Sequence, residues 1–324
     1  MIKVDIVPRL DPEMAAALNQ SRRLDTDLIA KRGGPIAPDD IAGQRAAYDH
    51  ERAFWNEIKP AMAAVEPVEI PRSGGSVRCR LYRPGTGGRL PALVYLHGGG
   101  WVLGSLDTHD RIMRLLAEKS GVAVLGVDYR LAPEHKFPAA YDDALAALRH
   151  LLREGAGLGI DPARLAVGGD SAGANLALAT CLQLDAHERA AVKIQLLYYG
   201  SFGLADSASR RAFGSETDGL TKADLDFFRD CLLRSPADAE DMRYDCLSAD
   251  LRGLPPAFIA ATDLDPLLDD SRALAELLEA AGVAHDLVVY EGVLHGFLHL
   301  SRMVSKSMRA LDAGAAALRK ALAL

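Results

Sequence analysis

Gly169-Asp170-Ser171-Ala172-Gly173 sets a serine among small residues, directly after the apolar run Arg164-Leu-Ala-Val167 and before a second apolar stretch. A strand that hands over to a helix in so few residues must turn sharply, and the turn forces the serine into a strained backbone conformation. Small residues two positions either side make that turn sterically feasible. The result is a hydroxyl exposed at a helix N-terminus, where developing negative charge is favoured. The spacing is G-x-S-x-G, a nucleophile elbow. The plainer alternative is an ordinary turn in which Asp170 and Ser171 only cap the helix.

A serine nucleophile needs oxyanion donors, a base and an acid. His97-Gly98-Gly99-Gly100-Trp101 follows the apolar run 91–96, and consecutive glycines leave backbone N–H groups free to approach a ligand. The donors expected from this loop and the elbow are the N–H groups of Gly98, Gly99 and Ala172. Among the nine histidines, His295 in Glu291-Gly-Val-Leu-His-Gly-Phe297 follows the last strand pattern and lies next to Gly296, so it is the favoured base. His299 falls at the start of a helix. His50, His109, His150, His187 and His285 sit on or beside helices and loops remote in the pattern. The acid must come between serine and histidine in this chain order. Thr262-Asp263-Leu264-Asp265-Pro266-Leu267 offers two, of which Asp265 is favoured over Asp263. Asp265-Pro266 would also suit a helix cap.

The elements that position these groups are legible as a pattern. Residues 1–63 read as polar helical pieces broken at Gly33-Gly34-Pro35 and Pro38. Strands are expected at 65–70, 77–83, 91–96, 122–127, 165–167, 194–199, 257–261 and 286–290, with helices at 110–119, 139–153, 172–184, 271–281 and from about 301. Alternation of this kind predicts an α/β fold with a mostly parallel sheet covered by helices on both faces. Residues 201 to about 252 interrupt the rhythm with polar helical pieces such as 221–233. An insertion of that size predicts a helical cap over the strand ends, joined by the N-terminal helices. The organisation expected is therefore an N-terminal segment, 1–63, contributing to the cap, and a catalytic domain, 64–324, with a cap insertion at about 201–252.

The chain has 324 residues, 49% of them hydrophobic and 25% charged, which suits a large buried core. A net charge of −7 with scattered Lys and Arg argues against nucleic-acid binding. Cys79, Cys181, Cys231 and Cys246 show no metal-ligand or redox spacing, and reduced thiols are expected. The N-terminal residues lack the apolar core of a secretory signal, and no run reaches the ~18 apolar residues of a membrane span. The expectation is a cytoplasmic protein off the membrane, with no metal and no organic cofactor.

The stretches HGGGW (97–101), YRLAPEHKFPAA (129–140), GDSAGANLA (169–177), DPLLDD (265–270) and LHGF (294–297) resemble the hormone-sensitive-lipase family of α/β-hydrolases. GSLDTHDRIMRLLA (104–117) and DPLLDDSR (265–272) are similar to its bacterial short-chain esterase branch, the acetyl esterases included. The likeness covers most of 65–324 and only weakly the N-terminal segment. It implies an α/β-hydrolase fold and a Ser–Asp–His triad at Ser171, Asp265 and His295. It also implies an oxyanion hole at Gly98, Gly99 and Ala172, and a structural His97 that holds its loop by hydrogen bonds. The wider family often carries a second glycine after GDSAG where this chain has Ala174.

The activity so implied is a serine carboxylesterase acting on short acyl esters, acetyl to butyryl, with Trp101 and Tyr199 narrowing the pocket or simply packing. An amidase, formamidase or lactonase would use the same triad, since specificity lives in the cap and acyl pocket. A non-catalytic binding protein on a retired hydrolase fold would lack the histidine that is present here. The partner expected is a small-molecule ester. Nothing in these residues marks a homo-oligomer interface or a regulatory protein partner.

Overall fold

The computed structural model describes residues 3–215 and 217–324. Eight strands form one sheet: β1 (Ala64–Arg72), β2 (Gly75–Arg83), β3 (Leu90–Leu96), β4 (Ala123–Asp128), β5 (Ile160–Asp170), β6 (Val192–Tyr198), β7 (Ala257–Leu264) and β8 (His285–Leu294). Their spatial order is β1-β2-β4-β3-β5-β6-β7-β8. The β1–β2 and β2–β4 pairs are antiparallel, and every pair from β4 onward is parallel. The sequence explains the division. Strands buried on both faces read as unbroken apolar runs, and β3, β4 and the end of β5 do so, whereas β1 at the edge alternates with charged residues.

The helices are α1 (Pro12–Arg32), α2 (Ile41–Asn56), α3 (Asp110–Ser120), α4 (Ala139–Glu154), α5 (Ala172–Leu182), α6 (Ala186–Ala191), α7 (Ala208–Ala212), α8 (Lys222–Leu232), α9 (Leu268–Ala280) and α10 (Ser305–Ala321). Leu148 and Leu151 of α4, the apolar α5, and Leu274 and Leu278 of α9 fill one core layer. Ile112 and Leu116 of α3, Leu311 and Leu318 of α10, and Met14 and Trp55 from the N-terminal helices fill the layer on the other face. This is the α/β-hydrolase architecture expected. The reading missed α6 and α7, which are too short to show a helical period. It also placed the start of the last helix about four residues early, because the turn that follows the 3₁₀ segment Phe297–Leu300 runs on through 301–304 before α10 begins at Ser305.

The strand order reverses between β3 and β5, the place where α/β sheets open a crevice at their C-terminal ends. Leu96 is paired with Gly169, so the loop after β3 and the elbow after β5 leave the sheet side by side. Sterics at this crossing are severe. A Cβ on Gly173 would overlap the Leu96 carbonyl, and one on Gly169 would meet the same oxygen. The elbow glycines therefore let α5 lie against β3. Gly173→Ala is expected to destabilise the fold by about 3 kcal/mol or more, a fall in Tm on the order of 5–10 °C. Gly157→Ala, where a Cβ meets open space, should stay within about 2 °C in the same circular-dichroism melt.

α1 buries only Met14 and Ala17 and presents most of its length to solvent. Its ends carry ordinary signals: Asp11 caps the Glu13 N–H, Pro12 opens the helix, and Gly33 closes it at φ 81°. α2 is fastened more firmly. Arg45 donates to the carbonyls of Val102 and Ala132 and pairs with Glu134, tying the helix to the loops after β3 and β4. Among the described residues no helix is long and apolar enough to cross a membrane. The four cysteines are unpaired.

Candidate active site

Ser171 takes φ 55° and ψ −121°, the strained conformation that the elbow demands of a non-glycine residue. Its own N–H donates to the Tyr198 carbonyl at 2.9 Å, which holds the turn against β6. The Oγ faces His295 Nε2 at 2.8 Å. His295 Nδ1 donates in turn to Asp265 Oδ2, also at 2.8 Å. Three strand ends, of β5, β7 and β8, thus supply a hydroxyl, a carboxylate and an imidazole in one line.

Asp265 is buried and fixed on both oxygens. Oδ1 accepts the Leu267 N–H at 2.8 Å, and Oδ2 accepts the Thr262 hydroxyl at 3.3 Å. With Oδ2 an acceptor, the imidazole carries its proton on Nδ1 and presents a bare Nε2 to the serine. Asp263, the competing acid, points elsewhere: it accepts the Gly292 N–H at 2.6 Å and pairs with Arg9 at 3.0 Å.

The glycine loop departs from expectation at one position. The Gly98 N–H is turned into the protein, donating to Asp170 Oδ1 at 3.1 Å and His109 Nε2 at 3.2 Å, so it is not free for a ligand. Gly99, Gly100 and Ala172 instead line the cavity, and their N–H groups have no acceptor among the described residues. The cause is Asp170, whose buried carboxylate also receives the Tyr95 hydroxyl at 2.8 Å. Burial alone would raise this carboxyl; the adjacent His109 and its hydrogen bonds outweigh that and hold it below the usual carboxylate range.

His97 is buried with its Nδ1 2.8 Å from the Gly98 carbonyl, and its ring stacks on Tyr129 with centroids 4.2 Å apart. Burial, reinforced by His109, pushes it down to about 3, so it is neutral at pH 7. His299 is buried too, and burial together with the Arg52 charge holds it well below the usual histidine range. His109, placed by sequence among the remote histidines, lies in this cluster because the start of α3 folds back under the glycine loop. His109, Asp170 and His299 bring ligand-type atoms within 4.8 Å of one another. Asp170 Oδ1, however, already holds the loop through Gly98.

Tyr199 and Trp101 both line the cavity, each at positive φ. The Tyr199 ring meets the His295 ring at 4.9 Å in an edge-on arrangement. The cavity has a volume of about 1060 Å³. Its walls come from the strand ends, from residues of α1 and α2 such as Tyr48 and Arg52, and from the 201–252 interval, including Phe228 stacked over Gly100. Tyr48 and Arg52 carry no sequence signal of their own, and His109, inside the stretch 104–117, and His299 had no role assigned to them.

The α/β-hydrolase-fold family matches residues 93–299. An acetyl esterase of Salmonella paratyphi B is 42% identical over 318 residues, covering 97% of this chain and 95% of its own. A hyperthermophilic esterase from the archaeon Pyrobaculum calidifontis superposes with a TM-score of 0.89 at 36% identity, covering 96% of this chain and 98% of that one. An ester-hydrolase from the Lake Arreo metagenome, solved with a bipyridine phosphonate derivative, gives 0.89 at 38% identity, covering 97% and 100%. Likeness of this extent reaches through the N-terminal helices as well as the sheet, and on it this chain belongs to the α/β-hydrolase family, in its hormone-sensitive-lipase-like branch, and is a carboxylic ester hydrolase.

Proposed function

We propose that the chain hydrolyses short-chain acyl esters, acetyl to butyryl, through an acyl-enzyme on Ser171. The observation that carries this reading is the Ser171–His295–Asp265 line, both links 2.8 Å, opening beside unpaired backbone donors. His295 Nε2 takes the Ser171 proton as Oγ attacks the ester carbonyl. The N–H groups of Gly99, Gly100 and Ala172 receive the oxyanion, with Gly100 standing where the sequence reading had Gly98. His295 then protonates the departing alcohol and activates the water that releases the acid. Asp265 keeps the imidazole tautomer and stabilises its cation. Every proton in these steps moves between groups of the chain, the ester and water.

In this reading residues 1–63 and about 201–252 form the cap, since both line the cavity over the strand ends. Trp101, Tyr199 and Phe228 crowd the space beside Ser171, which favours a short acyl group; the acetyl esterases among the relatives support the same preference. The substrate is a small ester met in the cytoplasm. The test is hydrolysis of p-nitrophenyl esters from acetate to palmitate. We expect kcat/KM to peak at acetate to butyrate and to fall by about 10² or more at long chains, roughly 3 kcal/mol or more in pocket fit. A matched anilide or lactone turned over faster than the esters would move the assignment to an amidase or lactonase.

A further inference from the structure

Two arginines of α2 reach away from solvent, and they are used differently. Arg45 bridges elements, with acceptors on Val102, Ala132 and Glu134. Arg52 bridges none. Its Nη1 pairs with Glu51, the preceding residue of its own helix, at 2.6 Å, and its guanidinium lies 4.5 Å from the ring centroid of Tyr48, one turn back. Glu51 is held from elsewhere, by the Ser21 hydroxyl at 2.7 Å and the Trp55 indole at 2.6 Å. The Arg52 Nε is buried without a hydrogen-bond partner among the described residues. A guanidinium carries five N–H donors in a planar fork, and taking it out of water is costly unless those donors are met. Tertiary stapling does not account for this one.

The side chain instead lines the cavity that holds Ser171 and His295, on the wall shared with Tyr48, Tyr199 and His299. We propose that Arg52 is a specificity residue, an oxygen-acceptor subsite for a substrate ester that carries a carbonyl or carboxylate oxygen besides the scissile one. The inference rests on the esterase reading above. Guanidinium groups meet such oxygens with strong, directional hydrogen bonds. The acidic neighbours set the balance: Glu51 is already paired, and Asp25 on the same wall has its carboxyl raised by desolvation and by Glu51. A neutral carbonyl and a carboxylate share the same recognition chemistry here, and substrates separate them.

The test compares Arg52→Met, which keeps the stem, with the wild type on two series. On the acyl side these are p-nitrophenyl pentanoate, 4-oxopentanoate and hemisuccinate. On the alcohol side they are butyl acetate, acetoxyacetone and acetoxyacetate. In at least one series the wild type should prefer an oxygen-bearing member to its apolar counterpart. Arg52→Met should then cut kcat/KM for that member by about 10–100-fold while the apolar ester changes by less than about 3-fold. The double variant Glu51→Gln/Arg52→Met leaves no unpaired carboxylate behind and should reproduce the split if the single variant folds poorly. Equal losses across every ester, or no wild-type preference in either series, would overturn the inference. A wild type inert toward all the esters would instead take down the esterase reading beneath it.

Discussion

Ser171→Ala is expected to lose about 10⁴–10⁶ in kcat on p-nitrophenyl acetate while keeping its fold. The substitution removes one atom, the Oγ that stands 2.8 Å from His295 Nε2. The anchor of the elbow survives, because Ser171 holds Tyr198 through its backbone N–H. Alanine must adopt the same φ of 55°, a strain the serine already bears. The melting temperature should therefore move by no more than a few degrees, whereas Gly173→Ala fails by the opposite route, through packing. His295→Ala should cost about as much as Ser171→Ala, and the double variant little more than either, because the two groups act in one step. Single-turnover kinetics beside a thermal melt make the measurement. A Ser171→Ala enzyme within tenfold of wild type would end the acyl-enzyme mechanism.

What the sequence disclosed follows from how local each constraint is. The elbow was readable because its constraint is internal to the pentapeptide: a Cβ on Gly169 would collide with the backbone of Gly173 one turn on, so the strand-to-helix turn itself demands small residues either side of Ser171. The continuous apolar run of β3 likewise announced a strand buried on both faces. Choosing Asp265 over Asp263 was harder, since the two lie two residues apart at one strand end. The structure separates them by their partners: His295 for one, Gly292 and Arg9 for the other. The fate of Gly98 is not legible in its own motif, because its N–H is taken by Asp170, 72 residues on. His109 escaped notice for a related reason, as the side chain at the start of α3 becomes part of the site only through packing against β5. Tyr48 and Arg52 come from a helix more than a hundred residues before the serine, with no motif around them. Groups that answer a local steric demand are legible; groups recruited by tertiary folding are not.

The hydrogen bonds around Asp265 make Asp265→Asn the sharpest test of how the imidazole is set. The amide has one oxygen and one nitrogen where the carboxylate has two acceptors. Its oxygen is retained at the Oδ1 position by the Leu267 N–H, 2.8 Å away. The NH₂ then occupies the Oδ2 position, facing His295 Nδ1, with the Thr262 hydroxyl turning to accept from it. Facing a donor, the ring gives up its Nδ1 proton and carries one on Nε2, against the Ser171 hydroxyl. Such an imidazole cannot take the serine proton, and the buried negative charge that stabilises its cation is gone. The expected loss is about 10⁴ in kcat, with the fold unchanged. Histidine ¹⁵N chemical shifts should report the tautomer switch directly, while Asp263→Asn should leave both the shifts and kcat within a few-fold of wild type. Near-normal turnover by Asp265→Asn, with the ring still protonated on Nδ1, would mean that something other than this carboxylate orients the base.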